Sequence, residues 1–405
     1  MRKFFLFLLV LLVIAGGIAA YLFATTPKTS AGVKFPLSAD HRAFLGRVPA
    51  SAESFAFVPR AAVLHGKLLA NRVTRVPLEE WARENPLPRP WMIGGADLLI
   101  WRSGKTTRYL VRLDPLRAAL VRFYLLFNAG VEEEGGSRFL INATSEPPIA
   151  GADLDGILAL TAGLPAGDAL IVQRDRSRGA FPPIGRPAVT SAQVTAQAID
   201  LTSRSTTNEE PRRQITDQLP VSAILSGAFT KAPRISGDLD RLFGGDVSKV
   251  IENGGSLVIY SVKTGTWIPR PKGLVAVKAG EDTRGAMGDF IRVADMVGES
   301  RDTGDQILVS LDDESMGLYL KDAKTPVPWP ANGWILRFRP AALLPVLNSV
   351  ADNVGLQVGM SRIHRSARDL RRWVRYFEKA ELIEAAQSVE GGAEVLRVRV
   401  AAARE

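Results

Sequence analysis

Hydrophobic and polar residues are arranged in short blocks along most of this chain. Apolar runs of three to six residues recur, bounded by Gly, Pro and charged residues, as at Phe55–Val58, Leu98–Trp101, Tyr109–Val111, Arg138–Ala143 and Ala169–Val172. The same texture returns at Ala223–Leu225, Leu257–Tyr260, Leu274–Val277, Gln306–Leu311 and Trp334–Leu336. Runs of this length between turn residues predict strands. Between them lie stretches with helical spacing, Pro115–Asn128, Arg284–Met296, Pro340–Asp352 and Ser361–Lys379. Strands mixed with helices in this way predict an α+β fold, with antiparallel sheet covered by helices.

The order of these blocks repeats. Pro49-Ala50, Pro165-Ala166, Pro220-Val221 and Pro330-Ala331 each introduce a strand-like run. The second pair follows the first at 220 − 49 = 171 and 330 − 165 = 165 residues. Gly94-Gly95 and Gly254-Gly255, 160 residues apart, each precede a hairpin pattern and then a helical stretch. A shared order of several landmarks predicts two similar modules. Their expected limits are 40–202 and 219–405, with the polar segment Ser203–Gln218 (203–218) as linker.

One run breaks the pattern. Phe4 to Phe23 is continuously apolar and follows Arg2-Lys3. Twenty helical residues span about 30 Å, the thickness of a bilayer core. Residues 1–23 are therefore expected to be a cytoplasmic tip and membrane anchor, and 24–39 a tether. Positive charge before the run places the N-terminus in the cytoplasm and the modules outside. The rival reading is a cleaved signal peptide, with Gly17 and Ala19 near its processing site. The expected location is thus the inner membrane, single-pass, with periplasmic domains.

Composition adds little to the fold and more to the chemistry. There is no cysteine, which excludes thiolate metal sites, disulfides and cysteine nucleophiles. The excess of 51 − 42 = 9 positive charges is concentrated in one place. Ser361 to Lys379 carries Ile363, Ala367, Leu370, Trp373, Val374 and Phe377 on one helical face, and Arg362, Arg365, Arg368, Arg371, Arg372 and Arg375 on the other. Those arginines are the candidate docking surface, either for an acidic envelope protein or for anionic lipid headgroups. Nucleic acid is not expected as a partner. Trp267 and Trp329 lie beside prolines and are the candidate aromatic contacts.

Catalytic motifs are incomplete. Gly104-Lys105-Thr106 lacks the earlier glycine of a phosphate loop, since Leu99 stands there. Lys263-Thr264-Gly265 has no Ser-x-x-Lys companion. His41, His65 and His364 are isolated, so no metal or cofactor is expected. The acidic triplets Glu132–Glu134 and Asp312–Glu314 are expected as exposed loop charge.

The plan of an anchor followed by repeated α+β modules, opening with Pro-Ala and a strand such as Phe55-Ala56-Phe57-Val58-Pro59, resembles that of uncharacterised bacterial membrane-anchored envelope proteins. The resemblance implies location and architecture, and no catalytic residues. The expected function is a non-catalytic, membrane-tethered binding or scaffold protein of the envelope. The alternatives are an exported hydrolase or transferase with a dispersed site, and a small-ligand or lipid carrier.

Overall fold

The computed structural model describes residues 32–84, 95–104, 106–125, 131–141, 149, 151–174, 187–230, 254–263, 270–278, 299–310, 312–345, 348 and 378–403. Among these the fold is α+β, and every strand pairing is antiparallel. The chain divides into two compact units, Met1–Ala70 with Leu78–Thr195, and Asn71–Pro77 with Ala196–Glu405. Residues 203–206 of the expected linker complete a strand of the second unit, and 207–218 run without regular structure.

No helix among the described residues is long and apolar enough to cross a membrane. The longest, Arg72–Glu84, has 13 residues, about 20 Å at the helical rise, and is strongly charged. The expected run Phe4–Phe23 lies outside the described residues. The fold class is corrected accordingly: strands and helices, with no helix among the described residues long and apolar enough to cross a membrane. The membrane as partner, the inner-membrane location and the periplasmic domains are withdrawn with it.

The first unit is built on β1 (Ser54–Val58), β2 (Asp97–Ser103), β3 (Thr106–Arg112), β4 (Val131–Glu133), β5 (Arg138–Ile141), β6 (Ala169–Gln173) and β7 (Ala188–Val194), in spatial order β7-β6-β1-β2-β3-β5-β4. Its helices are α1 (Ala39–Leu45), α2 (Ala61–Ala70), α4 (Pro115–Leu125) and α5 (Gly151–Ala159), with α3 (Arg72–Glu84) shared across the division. Local signals place the helix starts. The Ser38 hydroxyl accepts from His41 N, Asn71 Oδ1 accepts from Val73 N and Thr74 N, and Asp114 Oδ1 accepts from Arg117 N beside Pro115. One sheet face presents Phe55, Phe57, Leu99, Trp101, Leu110, Leu170 and Val172 to Phe44 and Leu45 of α1 and to Leu154 and Ile157 of α5. Each of the larger side chains contributes about 1.5–3 kcal/mol by leaving water.

The second unit has β8 (Ala198–Thr206), β10 (Leu225–Phe229), β11 (Gly255–Lys263), β12 (Arg270–Lys278), β13 (Glu299–Asp302), β14 (Gln306–Ser310), β16 (Trp334–Phe338), β17 (Ala380–Glu390) and β18 (Ala393–Ala402), in order β13-β14-β12-β11-β10-β16-β17-β18-β8. A two-stranded ribbon, β9 (Leu219–Pro220) with β15 (Lys324–Thr325), is separate, and α6 (Asp313–Lys321) lies between β14 and β15. From β13 to β17 the order repeats that of β4 to β7. Phe57 pairs with Leu99 and Leu170, and Ala228 pairs with Ser256 and Ile335. These registers give offsets of 228 − 57 = 171 and 335 − 170 = 165, equal to those of the prolines. The second strand is offset by 256 − 99 = 157, so the two glycine pairs are not register equivalents. Gly95 and Gly254 nevertheless both adopt positive φ (76° and 87°) just before their strands.

β17 and β18 form the longest hairpin, joined by Gly391-Gly392 with φ of 56° and 75°, as a tight turn between right-twisted strands requires. β18 then pairs with β8 from Ala393↔Thr206 to Ala401↔Ala198. The outermost strands β4 and β13 are only three and four residues long and read Val-Glu-Glu and Glu-Ser-Arg-Asp. Short charged edges discourage strand addition.

A buried ion pair organises the second unit. Arg337 on β16 and Glu384 on β17 are register partners, with side chains 6% and 12% exposed. Nε and Nη2 of Arg337 both donate to Glu384 Oε1, at 3.1 and 2.8 Å. Nη1 donates to Leu219 O and Thr325 Oγ1, and Nη2 also to Pro326 O. The guanidinium thereby holds both strands of the ribbon to the sheet. Removing one member of such a pair leaves a bare buried charge. Arg337→Met should therefore lower stability by about 3–5 kcal/mol, whereas Arg337→Met with Glu384→Leu should recover most of the loss. Urea unfolding of the full chain measures both; a loss under about 1 kcal/mol for the single variant would remove this clasp from the account.

Candidate functional site

Register equivalence exposes a difference in kind between the two units. Phe55 pairs with Trp101 and Val172 in the first; at the matching place Ser226 pairs with Val258 and Arg337. Leu99 corresponds to Ser256 in the same way. On the covering helices, buried Leu154 and Ile157 of α5 match Met316 and Tyr319 of α6, which sets Asp322 where Leu160 stands. Into a layer of aromatic and aliphatic side chains the second unit introduces Ser226, Ser256 and Arg337, beside apolar Val258, Ala228 and Ile335.

These groups gather at the C-terminal end of α6. Tyr319 is 7% exposed and packs with Val258, Leu274, Ala276 and Met316. Lys324 Nζ lies 3.8 Å from the centre of its ring. Asp322, the C-cap, accepts from the backbone N–H of Ser222 at 3.2 Å and from its hydroxyl at 2.7 Å. A carboxylate at a helix C-terminus faces the negative end of the helix dipole, so this position is electrostatically unfavourable without such donors. Lys278 is 3.9 Å from Asp217, whose charge also reaches Tyr319.

The titration behaviour follows from this packing. Burial pushes the Tyr260 hydroxyl well above the usual phenol range, and the charge of Asp322 adds to it. Its oxygen is buried and makes no hydrogen bond of good geometry, so the neighbouring carboxylate acts mainly through its charge. Tyr319 is raised by burial, partly offset by a hydrogen bond from Ser256 and reinforced by Asp217. Lys324 is lowered by burial, with Asp322 opposing.

The acidic triplet Asp312–Glu314 opens α6. Asp312 is the N-cap, accepting from Glu314 N and Ser315 N through Oδ1 and from Gly273 N and Ser315 Oγ through Oδ2. In the other triplet, Glu133 pairs with Arg122 and Glu134 with Arg47.

Of the residues singled out from the sequence, Arg362, Arg365, Arg368, Arg371, Arg372, Arg375 and Trp267 lie outside the described residues. So do His364 and the expected helix Arg284–Met296. Trp329 is half-buried and packs against Leu219, Ala228, Ala331, Ile335 and Ala386, beside the ribbon. His41 packs at a tilt against Phe57, 4.9 Å between ring centres, and His65 lies within α2. Among the described residues no three His, Cys, Asp or Glu are placed to hold a metal ion. In the first unit, a cleft of about 270 Å³ between α1 and α5 is lined by Pro36, Leu37, Leu158 and Ala159, with the exposed Arg42–Asp155 pair alongside. It falls below the usual range for drug-sized ligands.

No family model, curated protein or solved structure matches the chain. The resemblance to bacterial membrane-anchored envelope proteins is therefore corrected: neither a relative nor a membrane-spanning helix among the described residues supports it. The tethered envelope scaffold, the exported hydrolase or transferase and the lipid or small-ligand carrier fall with it. Among the described residues no helix is long and apolar enough to cross a membrane, and no three His, Cys, Asp or Glu are placed to hold a metal ion.

Tyr109, Tyr260 and Tyr319 are all raised chiefly by burial, and each unfolded phenol ionises near pH 10. Above that pH the unfolded chain releases protons that the folded chain keeps, so their contribution is complete below pH ~10 and is lost as pH rises through the folded values. Ultraviolet difference titration should show at least three of the six tyrosines ionising late, and Tyr260→Phe should make the alkaline fall in stability less steep. Six phenols titrating together near 10 would contradict the packing described.

Proposed function

We propose that the chain is a recognition protein in which the first unit is structural and the second binds a cationic group at Tyr319 and Asp322. The group is an ammonium or guanidinium carried by a lysine or arginine side chain of a partner protein. The observation that carries this reading is the ammonium of Lys324, seated 3.8 Å above the Tyr319 ring in the field of Asp322. An aromatic face attracts a cation through its quadrupole, by about 0.5–1 kcal/mol when exposed and about 2 when desolvated. A neighbouring carboxylate adds charge attraction. Asp217 and Asp322 together make an anionic ligand the poorer fit. The first unit has Ile157 and Leu160 in the matching places and offers neither ring nor charge.

Support also comes from the unfavourable features concentrated here. Asp322 opposes a helix dipole, the buried Tyr260 hydroxyl lies in the field of the Asp322 carboxylate, and Lys324 is partly desolvated. Natural folds break local rules where function requires it.

The test uses the full chain and a short peptide with one central lysine, beside the same peptide with that lysine acetylated. Calorimetry or saturation-transfer NMR should detect the charged peptide and not the neutral one. Asp322→Asn should weaken binding by roughly fivefold, equivalent to about 1 kcal/mol, while circular dichroism stays unchanged. Equal binding of both peptides, or an Asp322→Asn variant indistinguishable from the parent, overturns the reading.

A further inference from the structure

We infer that Lys324 is an internal competitor for this cation site, a tethered side chain that a partner's cation must displace before it can bind. The inference rests on the recognition reading above and concerns how the site is regulated.

Three observations support it. First, the ammonium lies directly over the ring, so the face a partner's cation would use is occupied; this agrees with the 7% exposure of Tyr319. Second, the Lys324 backbone is fixed while its stem is partly exposed and carries four rotatable carbons. Lys324 pairs with Pro220 in the ribbon, and Arg337 holds that ribbon through Leu219 O and Thr325 Oγ1. A four-carbon stem on a rigid base can leave the ring without any change in the sheet. Third, the ammonium is held weakly. It makes no salt bridge within 4.0 Å among the described residues, and Asp322 acts on it only through its field. Asp322 directs its hydrogen bonds to Ser222 instead. Burial lowers the affinity of Lys324 for its own proton, so its charged form is under-stabilised where it sits.

An internal occupant lowers apparent affinity in proportion to the fraction of time that the site is free. A site occupied nine-tenths of the time binds about tenfold more weakly than a vacant one. The device therefore sets a threshold: only a partner whose cation brings further contacts displaces the lysine.

The experiment compares the full-length parent with Lys324→Met, which keeps an apolar stem of similar length, and with Lys324→Arg, which keeps the charge. The probes are the single-lysine peptide and n-butylammonium. Lys324→Met should bind the peptide roughly tenfold more tightly than the parent, and Lys324→Arg should bind no more tightly. A gain seen also with n-butylammonium shows that the amine alone suffices; a gain confined to the peptide assigns part of the contact to the partner's backbone. Either supports the competitor role. If the parent binds and Lys324→Met binds no better, the competitor role fails and the site stands. Should neither protein bind either probe, with Lys324→Met melting as the parent does, both readings fail.

Discussion

The second unit depends on how the five N–H donors of Arg337 are met. A guanidinium is tolerable inside a sheet-and-helix interior only when its charge is paired and its donors are met, and here the carboxylate of Glu384 and the polar atoms of the ribbon do both. What is gained is position. The ribbon has only two residues on each strand, and of these Leu219 is buried against Ala228, Ile335 and Ala386. Its hold on the sheet therefore combines the buried Leu219 with the hydrogen bonds of Arg337, and that hold fixes where Lys324 begins and where Ser222 meets Asp322.

This makes the two units unequal partners in a shared topology. The first places Phe55, Phe57, Trp101 and Val172 in one continuous core. The second carries Ser226, Ala228, Val258 and Arg337 in the corresponding registers, and its apolar residues gather in separate clusters around Val258 and around Ile335. Smaller side chains leave room that polypeptide and polar groups occupy. Part of an all-apolar layer has been exchanged for a buried, fully paired charge set between two apolar clusters.

Much of the strand plan was legible in the sequence because turn residues and short apolar runs are local signals. Phe55–Val58, Leu98–Trp101, Ala169–Val172 and Trp334–Leu336 fall within β1, β2, β6 and β16. Less visible was α6. Its segment is too short and too mixed for clear periodicity, although Asp312 followed by Glu314 and Ser315 is a readable N-cap signal. The candidate site was hidden for a different reason. Asp217, Tyr260 and the Tyr319–Asp322 end of α6 belong to three segments that the fold brings together, and nothing in their spacing announces it. Arg337 reads as a polar residue alternating out of a strand, and only the register opposite Glu384 shows that it points inward.

The pairing of β8 with β18 has a consequence for the order of events during synthesis. Ala198 must wait for Ala401, 401 − 198 = 203 residues later, before its hydrogen bonds can close. At elongation rates of about 5–20 residues per second, β8 stays without that neighbour for roughly 10 to 40 seconds after it is made. Every strand of the first unit has been translated by then, whereas the second unit cannot be completed until its final strand emerges. The two halves of one repeated plan thus mature on different clocks, and the half with the polar interior is the one that finishes last.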